Sequence, residues 1–456
     1  MARPAKRVSP DTLGGRIRAA RQSLRLSLAD VADGRYSTSL ISQIERNRVE
    51  PSPESLHFLA ERLNLPLDDL MVLLQQQRES EAEANRYKEN EEKLNHALRL
   101  LESKHIKAAL DLVNTINIEH APPSLRWRLY ALRGQCFFSL RQFVEAQRQF
   151  FQAAALRPER IPTEQVHEAT LLHLHLAATC RELGRLDLAN DHYETVLKLM
   201  QPETPIHYVA EAHWGIALVS FERADSHRDD EQWAAESERL KYRALHHAEN
   251  ARTLYRSIGD EINESLLTCE IALIYQGLGR VDEARAYLRE VLEKWQPRVA
   301  GAPPAGKNAL EERRQKQEAN VVAAAAAYLA SLELQCQRYE LALQYVRQAH
   351  EAARKSYILR RAEAYLIEGQ ILDAMEQEQG GTQSGQSGAE RAFRAAIEEL
   401  KPTHRVAALI HAHDLLGRHL LKRGKIKEGE HELDIVRALA QTRRRWEDPL
   451  TMTDEM

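Results

Sequence analysis

From about residue 90 onward the chain repeats itself, and a repeating chain cannot fold as a domain around one ordinary core. The clearest unit is 127–160, where Tyr130 is followed by Gly134, Phe137, Ala146, Phe150, Ala153 and Pro158. The spacing returns in 90–123 (Ala97, Leu100, Ala109), 170–203 (Ala177, Gly184, Ala189, Tyr193) and 265–298 (Ala272, Tyr275, Gly279, Ala284, Leu288). It returns again in 323–356 (Ala330, Ala342, Ala349) and 410–443 (Gly417, Leu420, Gly424, Gly429, Leu433). Two more units begin near Tyr208 and Ala362, carry Gly215 and Gly369, and are then interrupted by insertions. The period of ~34 residues is that of two helices and two turns. Small residues recur where the two helices of a unit approach, and bulky ones recur where units meet. One such pair leaves an apolar face uncovered, so the units must stack.

Composition supports helices throughout. Gly and Pro total 35 of 456 residues, below the average ~12%. No apolar run approaches the ~18 residues of a membrane span, and the basic start Met1–Arg7 lacks the apolar stretch of a signal peptide. Four widely spaced cysteines (136, 180, 269, 336) suggest neither a disulfide framework nor a zinc site. Cys136, Cys180, Cys269 and Cys336 read as small core residues of the first repeat helices. These features point to a cytoplasmic protein with reduced thiols. The formal charge is −4 overall, yet the first 50 residues hold ten Lys/Arg and five Asp/Glu. A basic head on an acidic body fits a nucleic-acid reader joined to something else.

That head parses into five short helices. Leu13, Ile17, Ala20 and Leu24 recur at helical spacing. Ser27-Leu28-Ala29-Asp30 starts a second helix in capping-box fashion. Asp33 to Tyr36 is a turn, and Ser37 caps a third helix with Leu40, Ile41 and Ile44 inward. Pro51-Ser52-Pro53 opens a fourth, and Asn64-Leu65-Pro66 precedes the last. Two helices joined by a tight turn inside such a set make a helix-turn-helix. The run from Leu13 through Leu26–Ala32, Ser37–Arg48 and Pro51–Pro53 to Leu63-Asn64-Leu65 resembles the phage-repressor-like (Xre) family. The turn between Ala32 and Ser37 is one residue shorter than that family's common pattern. The resemblance implies that the helix after Ser37 enters the major groove, with Thr38, Ser39 and Gln43 at base edges. Arg16, Ser27, Leu28, Arg46 and Arg48 are the expected phosphate contacts. The resemblance also implies a structural ion pair between Arg21 and Glu45.

The repeat pattern resembles tetratricopeptide (TPR) proteins over about 350 residues. The expected fold is all-α: a five-helix reader followed by a right-handed superhelical array of about eight helix pairs. In such an array the first helix of each pair lines a concave face. By that register the lining includes Arg128, Gln135, Arg181, Gln276, Glu363, Gln370, Asp373, His411, Asp414 and Arg418. This polar, charged surface suits a peptide or protein segment. The expected divisions are a basic arm (1–11), the reader (12–76), a charged helical linker (77–92), the solenoid (93–443) and a tail (444–456). Flexible insertions are expected at 297–309 and 376–388.

No phosphate-binding glycine loop, zinc-protease helix or catalytic triad can be assembled, so no enzyme, cofactor or metal is expected. His173 and His175, like His411 and His413, stand two apart on helices and should point to different faces. A reader fused to such an array resembles the peptide-sensing transcription regulators of Gram-positive bacteria. The resemblance implies double-stranded DNA as partner, a homodimer built through the array, and a signalling peptide or protein on its concave face. The alternative is an interaction scaffold whose reader binds no DNA.

Overall fold

The computed structural model describes residues 9, 11–225, 231–301, 309–378, 387–403 and 405–447. The described residues are helical and contain no strand. The first helices are α1 (Leu13–Ser23), α2 (Leu28–Ala32), α3 (Thr38–Glu45), α4 (Pro53–Arg62) and the long α5 (Leu67–Glu102). A short α6 (Ile106–Asn114) follows. Seven helix pairs then run in order: α7 (Pro123–Ser139) with α8 (Phe143–Leu156), α9 (Val166–Glu182) with α10 (Leu186–Leu199), and α11 (Ile206–Asp225) with α12 (Ala234–Ser257). Next are α13 (Glu261–Gly277) with α14 (Val281–Ala300), and α15 (Ala309–Gln335) with α16 (Tyr339–Arg354). Last come α17 (Ile358–Glu378) with α18 (Gly388–Leu400), and α19 (Val406–Lys422) with α20 (Ile426–Glu447). Two compact units result: 1–99 with 119–125, and 100–118 with 126–456.

Side-chain caps set the helix starts of the first unit. Thr12, Ser27, Ser37 and Ser52 each accept a backbone N–H two or three residues into the helix. Leu13, Ile17, Val31, Ile41, Ile44, Leu56, Leu59 and Leu70 form its enclosed core. Leu24, expected on the apolar face of α1, is exposed. The helix ends at Ser23, and Arg25 takes a left-handed φ of 57° that turns the chain away.

In the second unit one turn recurs between the helices of a pair. Gly184, Gly279 and Gly424 hold φ of 79°, 77° and 74°, and Arg141 and Gln337 hold 61° and 57° at the equivalent place. In each case the next amide reaches back six-to-one: Arg185 N–H to Cys180 C=O, Arg280 to Tyr275, Lys425 to Leu420, Gln142 to Phe137 and Arg338 to Glu333. This closure satisfies the orphan carbonyls of the first helix and starts the second at a fixed angle.

Close packing explains the small residues. A Cβ on Gly134 would lie 2.6 Å from the Phe150 ring, and one on Gly369 would lie 2.5 Å from Phe393. The centre of the array is α15, which touches α13, α14, α16 and α17. Every residue from Val321 to Ala330 on it is buried. A helix apolar all round is a fully enclosed helix, and its five consecutive alanines let neighbours approach on every side.

Two expected insertions begin later than the repeat pattern places them. Helix α14 continues through Pro297 to Ala300. Trp295 is buried and donates its indole N–H to Ser265 at 2.8 Å, and Arg298 pairs with Glu261 at 3.0 Å, so this last turn is tied to α13. Helix α17 likewise runs to Glu378, with Glu376 held by Arg423 at 3.2 Å. The remainders, 302–308 and 379–386, lie outside the described residues, as do most of the basic arm and 448–456 of the tail.

Inside the second unit, histidines face each other across helix pairs. His173 Nδ1 lies 3.2 Å from His192 Nδ1, and His213 Nδ1 lies 2.8 Å from His247 Nδ1. Burial, then the neighbouring His192 and Arg157, lower His173 to about 3. Burial, then His213 and Arg243, lower His247 to about 4. His175 instead packs edge-on against Phe138, and His413 bonds Glu432 at 2.5 Å.

Two outcomes are expected. Gly369→Ala should destabilise the second unit by about 1–3 kcal/mol through overpacking, read as a lower urea midpoint. The folded protein keeps His173 and His247 neutral, whereas the unfolded chain protonates them near pH ~6.5. Their contribution is therefore complete above that pH and is lost as pH falls toward about 3–4. Replacing both with Gln should flatten the loss of thermal stability across that window.

Candidate functional site

In the first unit the candidate surface is the N-terminal end of α3. Ser37 accepts the Leu40 N–H at 3.1 Å, which fixes the start of the helix. The chain enters through a compact turn: Asp33 and Gly34 have φ of 49° and 67°, and the Arg35 and Tyr36 amides both bond Ala32 C=O. Tyr36 then packs on Phe58 of α4, with centroids 5.2 Å apart. The shortened turn is thus closed by backbone bonds and locked by an aromatic contact.

Arg21 holds α3 against α1. Its guanidinium forks onto Glu45, with Nε–Oε1 at 2.5 Å and Nη2–Oε2 at 2.9 Å. A third nitrogen donates to Leu26 C=O at 3.0 Å. The pair is largely enclosed, with side-chain exposures of 15% and 6%. Its hydrogen bond to Glu45, opposed by burial, raises the Arg21 guanidinium above its ordinary value. Asn47, just past α3, adds a second tie: its amide oxygen accepts the Gly14 N–H at 2.8 Å and its NH₂ donates to Thr12 at 2.9 Å. Asn47 tolerates φ 54°, as Asn does more readily than most residues. Its motif position marks the helix end, but nothing local signals that its side chain reaches back to α1.

With α3 fixed, Thr38, Ser39 and Gln43 are all exposed on it. Gln43 and Ser39 stand 3.5 Å apart. Arg16, Arg46 and Arg48 are exposed, and their guanidiniums meet no partner among the described residues. The start of α2 is the capping box that its sequence predicts. Ser27's own amide is taken by Asp30 at 2.7 Å while Asp30's amide bonds the Ser27 hydroxyl. The capping box leaves the Leu28 amide free there and sets a carboxylate beside it. That carboxyl is held below its usual range, chiefly by the Ser27 bonds.

The second unit contains two cavities of about 940 and 1060 Å³ that share Arg141, Arg405, Ala408 and His411 as a common wall. The first lies among the α7–α8 turn, the ends of α9 and α11, and the start of α19. The second lies among α15, the start of α17 and the start of α19. Of the residues expected on the concave face, Arg181, Glu363, Gln370 and His411 line these cavities. The others are placed elsewhere. Arg128 pairs with Glu168, Gln135 is buried, and the Gln276 carboxamide oxygen is buried with no partner. Asp373 joins His419 at 2.6 Å and Lys422 at 3.4 Å, while Asp414 bonds Arg418 within α19.

The register of repeats misses Arg141, Glu182, Arg360 and Arg405. Arg360 donates to Glu363 at 2.6 Å, Tyr328 at 3.2 Å and Asn320 at 3.1 Å. Tyr328 in turn donates to Glu270 at 3.4 Å. Burial raises the Glu270 carboxyl above its usual range against the pull of Arg360. Glu182 lies 3.6 Å from Arg405, and Arg181 reaches both Glu222 and Glu182.

Among the described residues no cluster of three or more His, Cys, Asp or Glu could hold a metal ion. No described helix is long and apolar enough to cross a membrane. Burial raises the Cys136 and Cys180 thiols to about 11, so neither is an activated nucleophile.

Residues 17–70 match the helix-turn-helix family model, and residues 269–293 match a tetratricopeptide-repeat model. No curated protein matches the chain. Among solved structures, it is similar to PlcR of Bacillus thuringiensis in complex with the peptide PapR7 and DNA. That match has 15% identity and a TM-score of 0.31, and covers 64% of this chain and 98% of that one. It is similar to a Rap protein complexed with competence and sporulation factor, at 11% identity, 94% and 99% coverage and TM-score 0.49. It is also similar to NprR in complex with its cognate peptide NprX, at 14% identity, 75% and 87% coverage and TM-score 0.49. The chain therefore joins an Xre-like helix-turn-helix domain to a tetratricopeptide-type repeat array.

Arg21→Leu leaves Glu45 enclosed without a counter-charge and should cost the first unit about 3 kcal/mol. Arg21→Leu with Glu45→Leu should recover most of that loss. Hydrogen exchange of the α1 and α3 amides in the full-length chain checks both.

Proposed function

We propose that the chain is a sequence-specific DNA-binding transcriptional regulator whose repeat array dimerises and senses a peptide or protein signal. The observation that carries the DNA half is the state of α3. It is pinned from behind by Arg21–Glu45 and Asn47, while Thr38, Ser39 and Gln43 stand exposed on it. A reading helix needs that combination, because base contacts give specificity only from a fixed register. Gln43 suits a bidentate contact to adenine, and the hydroxyls suit either base type. Arg16, Arg46 and Arg48 are the phosphate cations of this reading, since no internal partner holds them among the described residues. The Leu28 amide contributes at the start of α2, although Asp30 beside it opposes a phosphate.

Two readers in a dimer would meet half-sites one helical turn apart, ~34–36 Å. The cavities of the second unit are the sensing site of this reading. A ligand that prefers one arrangement of the array shifts the population toward it and thereby changes DNA affinity.

The test is binding of the full-length protein to its own promoter region at 50 and 200 mM salt. Three arginines on each reader make about six phosphate contacts per dimer, so affinity should fall by about 10³-fold between those salts. Gln43→Ala with Arg46→Ala should abolish the preference for promoter over random DNA. Equal binding to promoter and random DNA by the unaltered protein would sink the regulator reading and leave a scaffold.

A further inference from the structure

The last two helix pairs bring together three residues that the chain keeps apart. Asp373 lies on α17, Ser387 caps α18 and His419 lies on α19. His419 Nδ1 stands 2.6 Å from Asp373 Oδ1, and its Nε2 stands 2.9 Å from Ser387 Oγ. Burial pushes the Asp373 carboxyl up, but the bond from His419 and the charge of Lys422 outweigh it and hold the group below its usual range. An ionised carboxylate can only accept, so the Asp373 bond puts the ring proton on Nδ1 and leaves the Nε2 lone pair facing the serine. Gln377 and Lys422 hold the other carboxylate oxygen at 2.6 and 3.4 Å. The Ser387 oxygen accepts the Glu390 N–H at 3.0 Å, so its one proton is free to point at His419. The imidazole is 2% exposed and packs on Phe393, with centroids 5.8 Å apart, whereas Ser387 is only half-buried. The helix cap needs the serine oxygen alone. The histidine and aspartate lined up behind it add nothing to the cap.

We infer that Ser387, His419 and Asp373 form a hydrolytic triad that cleaves neutral carboxylic esters with a short acyl group. The inference is independent of the DNA and sensing roles proposed above. A triad is defined by geometry and roles, not by order in the chain, and here nucleophile, base and orienting acid stand in hydrogen-bonded sequence. Ser387 Oγ attacks the ester carbonyl carbon while His419 Nε2 takes its proton. The ester C–O bond then breaks, and the alcohol leaves with that proton. A water attacks the acyl-serine, passing a proton to His419, and the carboxylic acid departs as the Ser387 hydroxyl re-forms. Asp373 holds the tautomer and offsets the charge of the imidazolium. The Gly388 and Ala389 amides open the 13-residue α18 and have no carbonyl to bond within it. Next to the attacking oxygen, at the positive end of the helix, they are the donors for the oxyanion. The surroundings set the substrate class. Ser387 lines neither large cavity, and Leu372 lies 3.2 Å from where a Cβ on Gly388 would stand, which leaves room only for a short acyl group. Glu376 Oε1, 3.8 Å from the same point, disfavours an anionic one.

The probes are a fluorophosphonate, which bonds covalently to activated serines, and p-nitrophenyl acetate, both used on the full-length chain. Peptide mapping by mass spectrometry should place the phosphonate adduct on Ser387. The acetate should release a burst of about one nitrophenolate per chain before slower turnover, the mark of an acyl-enzyme. Ser387→Asn removes the nucleophile yet keeps a good helix cap, so adduct and burst should vanish while the thermal midpoint holds. His419→Gln should slow labelling at least about 100-fold, the worth of a general base. Asp373 acts through His419 and is a positioning residue. Asp373→Asn should slow labelling by a similar factor because Asn stabilises the wrong tautomer, and Asp373→Glu, which restores a carboxylate, should recover part of the rate. A merely structural aspartate would move the thermal midpoint and not the rate. No adduct on Ser387, or a burst that survives Ser387→Asn, would overturn the triad and leave Ser387 as a helix cap.

Discussion

A helix pair of this length has more apolar surface than it can cover by itself, and everything in the second unit follows from that shortage. Each pair borrows cover from the next, so stability is shared among neighbours rather than held in one core. The borrowing works only if helices come close. Gly134 against Phe150 and Gly369 against Phe393 show how close: no Cβ fits in the gap. The recurring left-handed turn at Arg141, Gly184, Gly279, Gln337 and Gly424 sets the angle at which the two helices of a pair meet. At α15 the argument reaches its limit. Stretched between four neighbours, it has no solvent face from Val321 to Ala330, and alanine is the residue that makes such crowding tolerable without sacrificing helix propensity.

The first unit solves a different problem with different means. It is too small to fix a helix by apolar contact alone, and its α3 is only eight residues long. Polar clamps complete the fixation. Arg21 binds α3 at Glu45 and the α1–α2 turn at Leu26 with one guanidinium. Asn47 closes the far end of α3 onto the start of α1. Buried charges are costly unless paired and fully bonded, and here every oxygen of Glu45 has a guanidinium nitrogen. The result is that α3 spends its buried side on position and leaves its other side free for contact. Apolar packing alone would have allowed α3 to slide or rotate.

Much of this was legible beforehand because it is local. The caps at Ser27 and Ser37 and the helix pairs follow from spacing, the Arg21–Glu45 pair follows from family likeness, and the coordinates contain them; the caps at Thr12 and Ser52 emerge only in the structure. The cavity was not legible, and the reason is specific. Position within a repeat tells which way a side chain points, not which distant repeat it meets. Arg141 lies in a turn, Arg405 caps α19, and Arg360 sits in the first turn of α17, so none occupies a concave-face position of the register. Asp373 does occupy one, yet His419 from α19 captures it. The late start of the insertion after α14 had a similar cause. Proline usually marks a break, but Trp295 and Arg298 on either side of Pro297 are bound to α13, and the helix persists through it.

This division also separates what stabilises the array from what it can recognise. The glycines, alanines and aromatic residues at fixed repeat positions are committed to stacking, and changing them disturbs neighbours. Three of the cavity charges are not committed in this way: Arg141 in the α7–α8 turn and Glu145 in the first turn of α8 are exposed, and Lys316 on α15 covers the Tyr357 ring at 5.0 Å. They can vary without cost to the stack. Their effect is nevertheless collective, because the wall the two cavities share is built from Arg141 in the α7–α8 turn and from Arg405, Ala408 and His411 at the start of α19, more than 200 residues away in the chain. A ligand bound across that wall adds contacts that exist only when those elements stand in one arrangement. Its binding energy therefore acts on the arrangement of the whole array, which is the property a sensor requires.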